Sequence, residues 1–457
     1  MNRRIVNLIK IILFIAVFFL IKKGFEFILV DDDTSQRVIM HRLYTDNTNY
    51  DTIILGSSHG YAGFDADYMS KELGISVLNL STPEQNLDGS LALLKEADKY
   101  NDVKHVYLEL YHWIGQLPAY DDRTVLVYQY NISDYMKPSI NKYNYMLHMC
   151  NKNYYTSAFL PARRHWRDSF NPSVIEENVK GKLNSDYFNY HEEDSDFGLL
   201  GPSSSEASDD MELEYTEFNH INTGDFSVDW VNSLKDIKKY CEDNDIELTV
   251  VVLPITDLTM VGVKNYDEYI DFVKEIIGED VKYYDFNLLK EEYFIAGYEN
   301  FSDNNHLNVQ GRKIIMEFLA SLEKGEVSID ELLYSSYSEK LSSMREELFW
   351  VYARPVEGVG NNVKRGSDGY YGSDTDGDGL IEYKITPIST LKDAEYSYSV
   401  TRYSEYIDTD MNQTIVMQEE DSNDVLFIPE GEHGKLEIAA YAEKDGESES
   451  ISVRQAY

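Results

Sequence analysis

Three side chains in two distant segments have the types and spacing that acyl transfer requires. Ser58 stands two residues after Gly56, which follows a strand-like apolar run at residues 51–55. Asp303 and His306 lie three residues apart, just before a segment with helical spacing. A serine can act as a nucleophile, a histidine as its base, and an aspartate can orient that histidine. These residues therefore indicate acyl transfer through a serine ester.

Each segment also has a simpler interpretation when it is taken alone. Ser57 or Ser58 could cap the helix that follows, since serine is a favoured N-cap residue. Residues 303–306 could form an ordinary polar turn. The serine comes first and the histidine last, and each segment stands at a strand end or a helix start. The combination favours the catalytic interpretation over the two simpler ones.

Catalysis by these side chains requires a fold that brings residues 58 and 306 together. Strand-like runs alternate along the chain with segments of helical spacing, which predicts a parallel sheet with helices on both faces. The predicted strands are residues 51–55, 76–80, 105–110, 247–253 and 281–286, and the predicted helices are residues 65–73, 87–100, 230–242, 266–277 and 309–324.

Residues 116–226 interrupt this alternation and are interpreted as an insertion. The stretch is rich in tyrosine, asparagine and serine, and it includes a basic cluster of Arg163, Arg164 and Arg167. A structureless loop of this length inside a compact domain would be unusual. We therefore expect some helices in it, and a lid or wall over the substrate site.

The two catalytic segments together resemble the SGNH (GDSL-like) hydrolase and acyltransferase superfamily, of the extracytoplasmic, membrane-anchored type, over about residues 50–325. The family's Gly-Asp-Ser motif stands here as residues 56–58, with Ser57 at the aspartate position. Its Asp-x-x-His motif stands as residues 303–306. The resemblance implies a flavodoxin-like α/β fold with helices on both faces of a parallel sheet. It also implies Ser58 as the nucleophile, His306 as the base and Asp303 as the group that orients the base.

The same resemblance implies donors for the oxyanion that forms during acyl transfer. Ser81 lies near the position of the glycine in the family's second motif, and its N–H would be one donor. His112 lies near the position of the asparagine in the third motif, and the side chain of His112 or Tyr111 would be another donor. The Ser58 N–H would be a further donor. Loss of one such donor typically lowers turnover by about 100- to 1,000-fold. His59, beside the nucleophile, is expected to have a structural role.

By resemblance, the activity is that of a serine esterase or O-acyltransferase on a cell-surface glycan or glycopolymer. It would proceed through an acyl-serine intermediate. Members with this membrane topology work beside a membrane-bound O-acyltransferase, so the resemblance implies that partner, and it implies no required cofactor. The alternative is a catalytically inactive SGNH-fold protein that binds glycans or assembles the cell envelope, because the second and third motifs depart from the family pattern.

An apolar segment at the N-terminus decides the expected compartment. Residues 5–21 are almost entirely apolar, and basic residues flank them at both ends. Their length approaches the about 20 residues that span a bilayer, and no small-residue cleavage site follows. We assign residues 5–30 as an uncleaved transmembrane signal anchor, with the N-terminus in the cytoplasm and the remaining chain outside.

Charge and cysteine content limit the partners and the covalent framework. The formal net charge of −40 over 457 residues argues against a nucleic-acid partner, because its phosphates would be repelled. Cys150 and Cys241 are the only two cysteines, so there is no disulfide framework. One disulfide between them is possible, and a free, buried pair is the expected state.

The SGNH-like domain is assigned to residues 45–327, and the sequence pattern changes after it. A helical connector is predicted over residues 328–350. From residue 351 to residue 457 the chain shows short alternating segments separated by turn residues. This pattern predicts a small antiparallel β-sandwich of immunoglobulin or fibronectin type.

An acidic loop in this C-terminal part carries a separate signal. Asp374, Asp376 and Asp378 alternate along it and Glu382 follows, and hard oxygen ligands at this spacing suit calcium. Ile385 stands at the twelfth position, where an EF-hand loop has a bidentate glutamate. A structural calcium site and an empty turn therefore both stay open.

Overall fold

The structure is a computed structural model that describes most residues of the chain. The described residues are 3–30, 35–112, 123–166, 171–184, 226, 228–263, 265–303, 305–343, 349–356, 364–365, 370–371, 377–389, 394–404, 413–429, 434–444 and 446–456. Much of the predicted insertion, Arg167, Asp374 and Asp376 lie outside these residues.

The helices and strands are numbered here in chain order. The N-terminal part contains α1 (Arg3–Leu29), α2 (Ser35–Thr45), β1 (Thr52–Leu55), α3 (Ser58–Gly63), α4 (Ala66–Leu73), β2 (Val77–Asn79), α5 (Leu87–Asp98), β3 (His105–Glu109), α6 (Arg123–Tyr135), α7 (Ile140–His148), α8 (Tyr155–Phe159), α9 (Pro161–Arg164) and α10 (Pro172–Leu183). The middle part contains α11 (Val228–Asp243), β4 (Glu247–Val252), α12 (Asp257–Gly262), α13 (Tyr266–Ile277), β5 (Lys282–Asp285), α14 (Val309–Lys324), α15 (Ile329–Leu332) and α16 (Tyr337–Ser343). The C-terminal part contains β6 (Phe349–Pro355), β7 (Lys364–Arg365), β8 (Tyr370–Tyr371), β9 (Leu380–Ser389), β10 (Glu395–Ser404), β11 (Gln413–Asp421), β12 (Val425–Pro429), β13 (Gly434–Lys444) and β14 (Glu447–Ala456).

Strands β1 to β5 form a parallel sheet in the order β2-β1-β3-β4-β5. The sheet is deeply buried, and Ile53, Ile54 and Leu55 of β1 have no exposed surface. Strands covered on both faces carry uninterrupted apolar runs rather than alternating patterns. The predicted α/β fold with a parallel sheet is confirmed in these terms.

Amphipathic helices cover the sheet. Helix α13 buries Tyr266, Tyr269, Ile270, Val273 and Ile277, a spacing that places all five on one helical face. Helix α11 contacts both α13 and α5, while α4 contacts α14. The helical periodicity of the sequence therefore marks the faces that pack inward.

The strand order changes direction between β1 and β3, and open α/β sheets have a crevice at the carboxyl ends of such strands. The chain leaves β1 toward β2 on one side, and β3 lies on the other side of β1. In open α/β sheets, ligands bind outside the carboxyl ends of the strands at such a point. Residues 56–58 follow β1 and residues 110–112 follow β3, so both segments lie at this crevice.

Helix α1 is long and apolar enough to cross a membrane. It has 27 residues, a mean hydropathy of 2.5 over its most apolar window, and no buried residue. About 20 helical residues span the about 30 Å hydrocarbon core of a bilayer. The helix is therefore consistent with a signal anchor, and its orientation stays a prediction.

The described part of the predicted insertion contains five helices, α6 to α10. Helices α6 and α7 contact α5 and each other. The Tyr145 hydroxyl of α7 donates to Gln129 Oε1 of α6 over 3.0 Å. Helices are therefore present in this stretch, and its role as a lid stays a prediction.

Two antiparallel sheets form the C-terminal part. Their strand orders are β11-β10-β13-β14 and β12-β9-β6. One apolar cluster joins them, with Val351 and Ile385 from the smaller sheet and Val400 and Ile438 from the larger, all without exposed surface. The predicted antiparallel region is confirmed, and its immunoglobulin or fibronectin type stays a prediction.

Two residues of the acidic loop lie within the described residues. Asp378 Oδ1 accepts a hydrogen bond from Leu380 N over 2.8 Å, and Glu382 is exposed on β9. Ile385, at the twelfth position, is a core residue of β9 rather than a loop residue. Within the part of the chain that the structure describes, no group of three or more acidic, histidine or cysteine side chains is placed to hold a metal. The calcium site stays a prediction.

A buried ion pair joins the connector to the α/β part. Lys340 of α16 is 2% exposed, and its Nζ lies 2.7 Å from Asp257 Oδ1. The same Nζ donates to Asn287 O over 2.9 Å, and Asp257 Oδ2 accepts from Ala296 N over 3.1 Å. Both charges are therefore paired and hydrogen-bonded, which a buried pair requires.

Replacing Lys340 by alanine should lower the free energy of unfolding by about 3–5 kcal/mol, because Asp257 would stay buried without its partner. Urea unfolding of the detergent-solubilised chain measures the loss. Lys384→Ala is the control, since Lys384 and Asp424 lie 3.4 Å apart with side chains 57% and 43% exposed. That pair should contribute about 0–1 kcal/mol. Equal losses in the two variants would contradict the structural role of Lys340.

Candidate active site

The turn after β1 separates the roles of its two serines. Ser57 is the N-cap of α3, and its Oγ accepts a hydrogen bond from His59 N over 3.3 Å. Ser58 is the first residue of α3, at the helix end where backbone N–H groups favour negative charge. The capping interpretation is therefore correct for Ser57. The Ser58 hydroxyl does not cap the helix and instead contacts His306.

Ser58, His306 and Asp303 form a continuous hydrogen-bonded row. Ser58 Oγ lies 2.8 Å from His306 Nε2 across 248 positions of sequence. His306 Nδ1 lies 2.7 Å from Asp303 Oδ2. Both distances are within the range of a nucleophile–base pair and a base–orienter pair. The fold thus brings the three predicted side chains together in the order that acyl transfer requires.

Backbone bonds fix the loop that carries Asp303 and His306. Asp303 Oδ1 accepts from His306 N over 2.7 Å and from Asn305 N over 2.9 Å, while Ser302 N donates to His306 O over 2.8 Å. Partial burial would raise the pKa of Asp303, but the bonds from His306 and Asn305 outweigh it and lower the pKa. Asp303 is therefore a carboxylate at neutral pH.

His59 lies beside the base rather than pointing away from it. Its ring is 4.8 Å from the His306 ring and stacks on the Tyr111 ring at 3.7 Å. Burial holds the pKa of His59 well below its usual range, and nearby His306 and His112 lower it further. A neutral, stacked imidazole supports the structural role that was expected for His59.

Tyr111 connects the end of β3 to the histidine loop. Its hydroxyl accepts a hydrogen bond from Asn305 Nδ2 over 3.3 Å. Burial keeps the pKa of Tyr111 well above its usual range, so the phenol stays protonated. Sequence reasoning named Tyr111 as an alternative donor, and the structure places it against the same loop as His306.

The two residues predicted as oxyanion donors have other surroundings. The Ser81 N–H donates to Asn79 Oδ1 over 2.9 Å, so its use as an oxyanion donor would require that bond to open. His112 is 1% exposed, with its ring against Tyr111, Tyr266 and Tyr269 at centroid distances of 4.9–6.1 Å. Burial lowers the pKa of His112 to about 3. His112 is a neutral part of an aromatic cluster.

Sequence reasoning missed Glu109, a buried carboxyl group directly behind the nucleophile turn. Glu109 is 3% exposed, and its Oε2 accepts from Ser57 N over 3.0 Å and from Ser57 Oγ over 2.9 Å. The backbone N–H of Gly60 also acts to lower the pKa of this carboxyl group. Burial raises the pKa of Glu109 to about 7, against the opposing effect of these bonds. Glu109 thus holds Ser57, the residue directly before Ser58, by two hydrogen bonds.

A signal for Glu109 is present in the strand pairing. Leu55 of β1 pairs with Leu108 of β3, so the next residues, Gly56 and Glu109, lie side by side. A Cβ on Gly56 would lie 2.6 Å from Glu109 Cβ and 2.7 Å from Glu109 Oε2. The glycine is therefore required by the close approach of this glutamate. The relation becomes visible only once β1 and β3 are known to be neighbours.

Comparison with known proteins does not assign the chain to a family. No family model matches it, and no curated protein matches it significantly. It is similar to a chain from Streptococcus pneumonia provisionally described as a platelet activating factor, with 11% identity, 64% of this chain and 91% of that chain covered, and a TM-score of 0.29. It is also similar to an endo-beta-1,4-mannanase from Thermotoga petrophila, with 12% identity, 93% of this chain and 95% of that chain covered, and a TM-score of 0.16. Similarity at this level carries no argument about function.

The raised pKa of Glu109 makes stability depend on pH in a defined direction. Its pKa of about 7 in the folded state lies above the ordinary value of 4.5. Between these values the folded chain keeps a proton that the unfolded chain releases, so stability falls as pH rises. Glu109→Gln cannot ionise and should lack this fall. Its stability relative to the parent should therefore increase from about pH 4.5 to 7.

Urea unfolding of both chains at several pH values measures this difference. The control is Glu339→Gln, because Glu339 is exposed and hydrogen bonds from Ser335 lower its pKa. A lowered pKa contributes stability above the ordinary value and loses it only at lower pH. The difference in unfolding free energy between Glu339→Gln and the parent should therefore not change from about pH 4.5 to 7. A flat difference for Glu109→Gln as well would contradict the burial argument.

Proposed function

We propose that the chain is a membrane-anchored serine hydrolase or O-acyltransferase of SGNH type. The observation that carries the proposal is the row formed by Ser58 Oγ, His306 Nε2, His306 Nδ1 and Asp303 Oδ2, with separations of 2.8 and 2.7 Å. Its position at the carboxyl ends of β1 and β3 agrees with where open α/β sheets bind ligands. The order β2-β1-β3-β4-β5 supports a flavodoxin-like assignment.

The geometry supports a two-step reaction. His306 Nε2 takes the Ser58 proton as Ser58 Oγ attacks the carbonyl carbon of an ester, and Asp303 holds the ring with Nδ1 protonated. His306 then returns the proton to the departing alcohol, which leaves an acyl group on Ser58. In the second step a water or a second alcohol attacks the acyl carbon and gives its proton to His306. The bond from that carbon to Ser58 Oγ breaks, and His306 returns the proton to Ser58 Oγ. Water gives hydrolysis and an alcohol gives transfer.

The oxyanion needs donors near Ser58. The Ser58 N–H at the start of α3 is placed for this role, since it belongs to the nucleophile itself. Tyr111 is a second candidate, because its phenol stays protonated and contacts the loop of His306. Of the two residues first expected, Ser81 would first have to release Asn79, and His112 would act only from its aromatic cluster.

The proposed substrate is an ester on a cell-surface glycan or glycopolymer. Its support is the apolar helix α1, which is long enough to hold the catalytic part at a membrane, together with the motif resemblance. On this proposal the N-terminus is cytoplasmic and the site is extracytoplasmic, beside a membrane-bound O-acyltransferase that supplies acyl groups. The chemistry requires no cofactor, and a calcium ion at the acidic loop would be structural.

One observation favours an inactive, glycan-binding or assembly role instead. The Ser81 N–H is occupied by Asn79, so the predicted oxyanion hole is incomplete as the loop stands. A site that holds the serine and histidine but cannot stabilise the oxyanion would bind an ester without cleaving it efficiently. A covalent probe of the serine separates the two functions.

A fluorophosphonate probe should label the full chain in detergent at Ser58, because His306 activates that hydroxyl. Ser58→Ala should abolish labelling, while Ser342→Ala should label like the parent, because Ser342 is an exposed residue of α16 that bonds to Glu339 O. Mass spectrometry of the labelled peptide identifies the modified residue. Labelling of Ser58→Ala at the parental rate would refute the assignment of the nucleophile, and an unlabelled parent would favour the binding function.

Asp303→Asn should slow labelling by up to about 10⁴-fold, because the amide no longer holds His306 in the tautomer that accepts the serine proton. The matched control is Asp280→Asn, whose side chain is 69% exposed and lies 3.6 Å from Lys238. The control should react at the parental rate. If Asp303→Asn also reacted at that rate, Asp303 would have no orienting role.

A further inference from the structure

Helices α9 and α10 lie against the C-terminal end of the apolar helix α1. Lys182 of α10 donates to Phe27 O over 2.9 Å and to Glu26 O over 3.4 Å, and it also contacts Val30 O. Asn178 of α10 lies 3.5 Å from Ile28 O. The last carbonyls of a helix have no partners within it and attract cations. Lys182 therefore attaches α10 to the end of α1.

The depth of this contact follows from helix geometry. Lys22 and Lys23 end the apolar part of α1, and Glu26 pairs with both of them. The carbonyls that α10 contacts belong to residues 26–30, four to eight residues beyond Lys22. At 1.5 Å per residue they lie about 6–12 Å beyond Lys22. The headgroup layer on each side of the hydrocarbon core is about 5–7 Å thick. If α1 spans a bilayer, α10 therefore meets it at the outer edge of the headgroup layer.

The surface beside this contact has the composition of membrane-interface segments. Trp166, just after α9, is 54% exposed, and Leu183, at the end of α10, is 72% exposed. Lys180 of α10 is 73% exposed, and Arg163 of α9 is exposed as well. Tryptophan and snorkelling basic side chains are enriched where proteins meet headgroups. Exposed large apolar side chains next to a membrane helix are stabilised by the same environment.

We propose that α9 and α10 form an interfacial collar, defined as residues 161–166 and 172–183, that rests in the headgroup layer around the exit of α1. The occupant of this surface is the bilayer itself. Glu176 and Glu177 lie among the basic residues, so zwitterionic headgroups suffice and anionic lipid is not required. The proposal rests on the membrane anchoring in the proposed function and extends it, because the collar would set the tilt of the catalytic part relative to the membrane.

Site-specific fluorescence in phosphatidylcholine vesicles tests the collar with the full chain. Leu183→Cys is labelled with bimane, while the native Cys150 and Cys241 are free but only 3% and 1% exposed. A lipid with a nitroxide on its headgroup should cause a loss of bimane fluorescence at position 183. Phe14→Cys on α1 should instead lose fluorescence to a lipid with a nitroxide deep in the acyl chain. Val416→Cys, 63% exposed on β11, should lose fluorescence to neither.

The controls distinguish the two failures. Quenching at position 14 without quenching at position 183 would overturn the collar and leave the anchor intact. An unquenched label at position 14 would overturn the anchor and the collar with it. Equal quenching at positions 183 and 416 would mean that the whole body lies on the bilayer, which also overturns a collar confined to α9 and α10.

Discussion

The proposed chemistry depends on the contact between Ser58 Oγ and His306 Nε2. The parallel sheet is the part of the fold that brings these two residues together. The two residues are 248 positions apart, so no local structure could bring them within 2.8 Å. A parallel sheet can bring such distant residues together, because the carboxyl ends of all its strands lie at the same edge of the sheet. Ser58 follows the strand β1 at that edge, and the loop of His306 reaches it from the start of α14.

A buried glutamate behind the turn stabilises this arrangement at a cost. Removing Glu109 from water disfavours its charge, as its pKa of about 7 shows. Two N–H groups and one hydroxyl from the turn offset part of that penalty. The two bonds from Ser57 hold that residue in place, so the orientation of the neighbouring Ser58 is coupled to a group that takes no part in the proton transfer.

Two lysines join elements that are far apart in the sequence. Lys182 binds the carbonyls that end α1, and Lys340 forms a buried pair with Asp257 near the start of the C-terminal sheets. The Lys340 contact is directional, because its buried ammonium group must find acceptors where water is scarce. Lys182 therefore joins α10 to α1, and Lys340 joins α16 to α12.

Local patterns in the sequence were sufficient for the parallel sheet, the apolar N-terminal helix, the antiparallel C-terminal region and the choice of Ser58, Asp303 and His306 as one chemical unit. Hydrophobic periodicity, apolar runs and turn residues are local properties, so they can be recognised in the sequence without the tertiary structure. The surroundings of Ser81 and His112, the stacking of His59 and the presence of Glu109 were decided only by tertiary structure. Each depends on which strand lies beside which and on where a side chain points after packing. The requirement for glycine at position 56 is of the same kind, because Glu109 fills the space where a side chain would be.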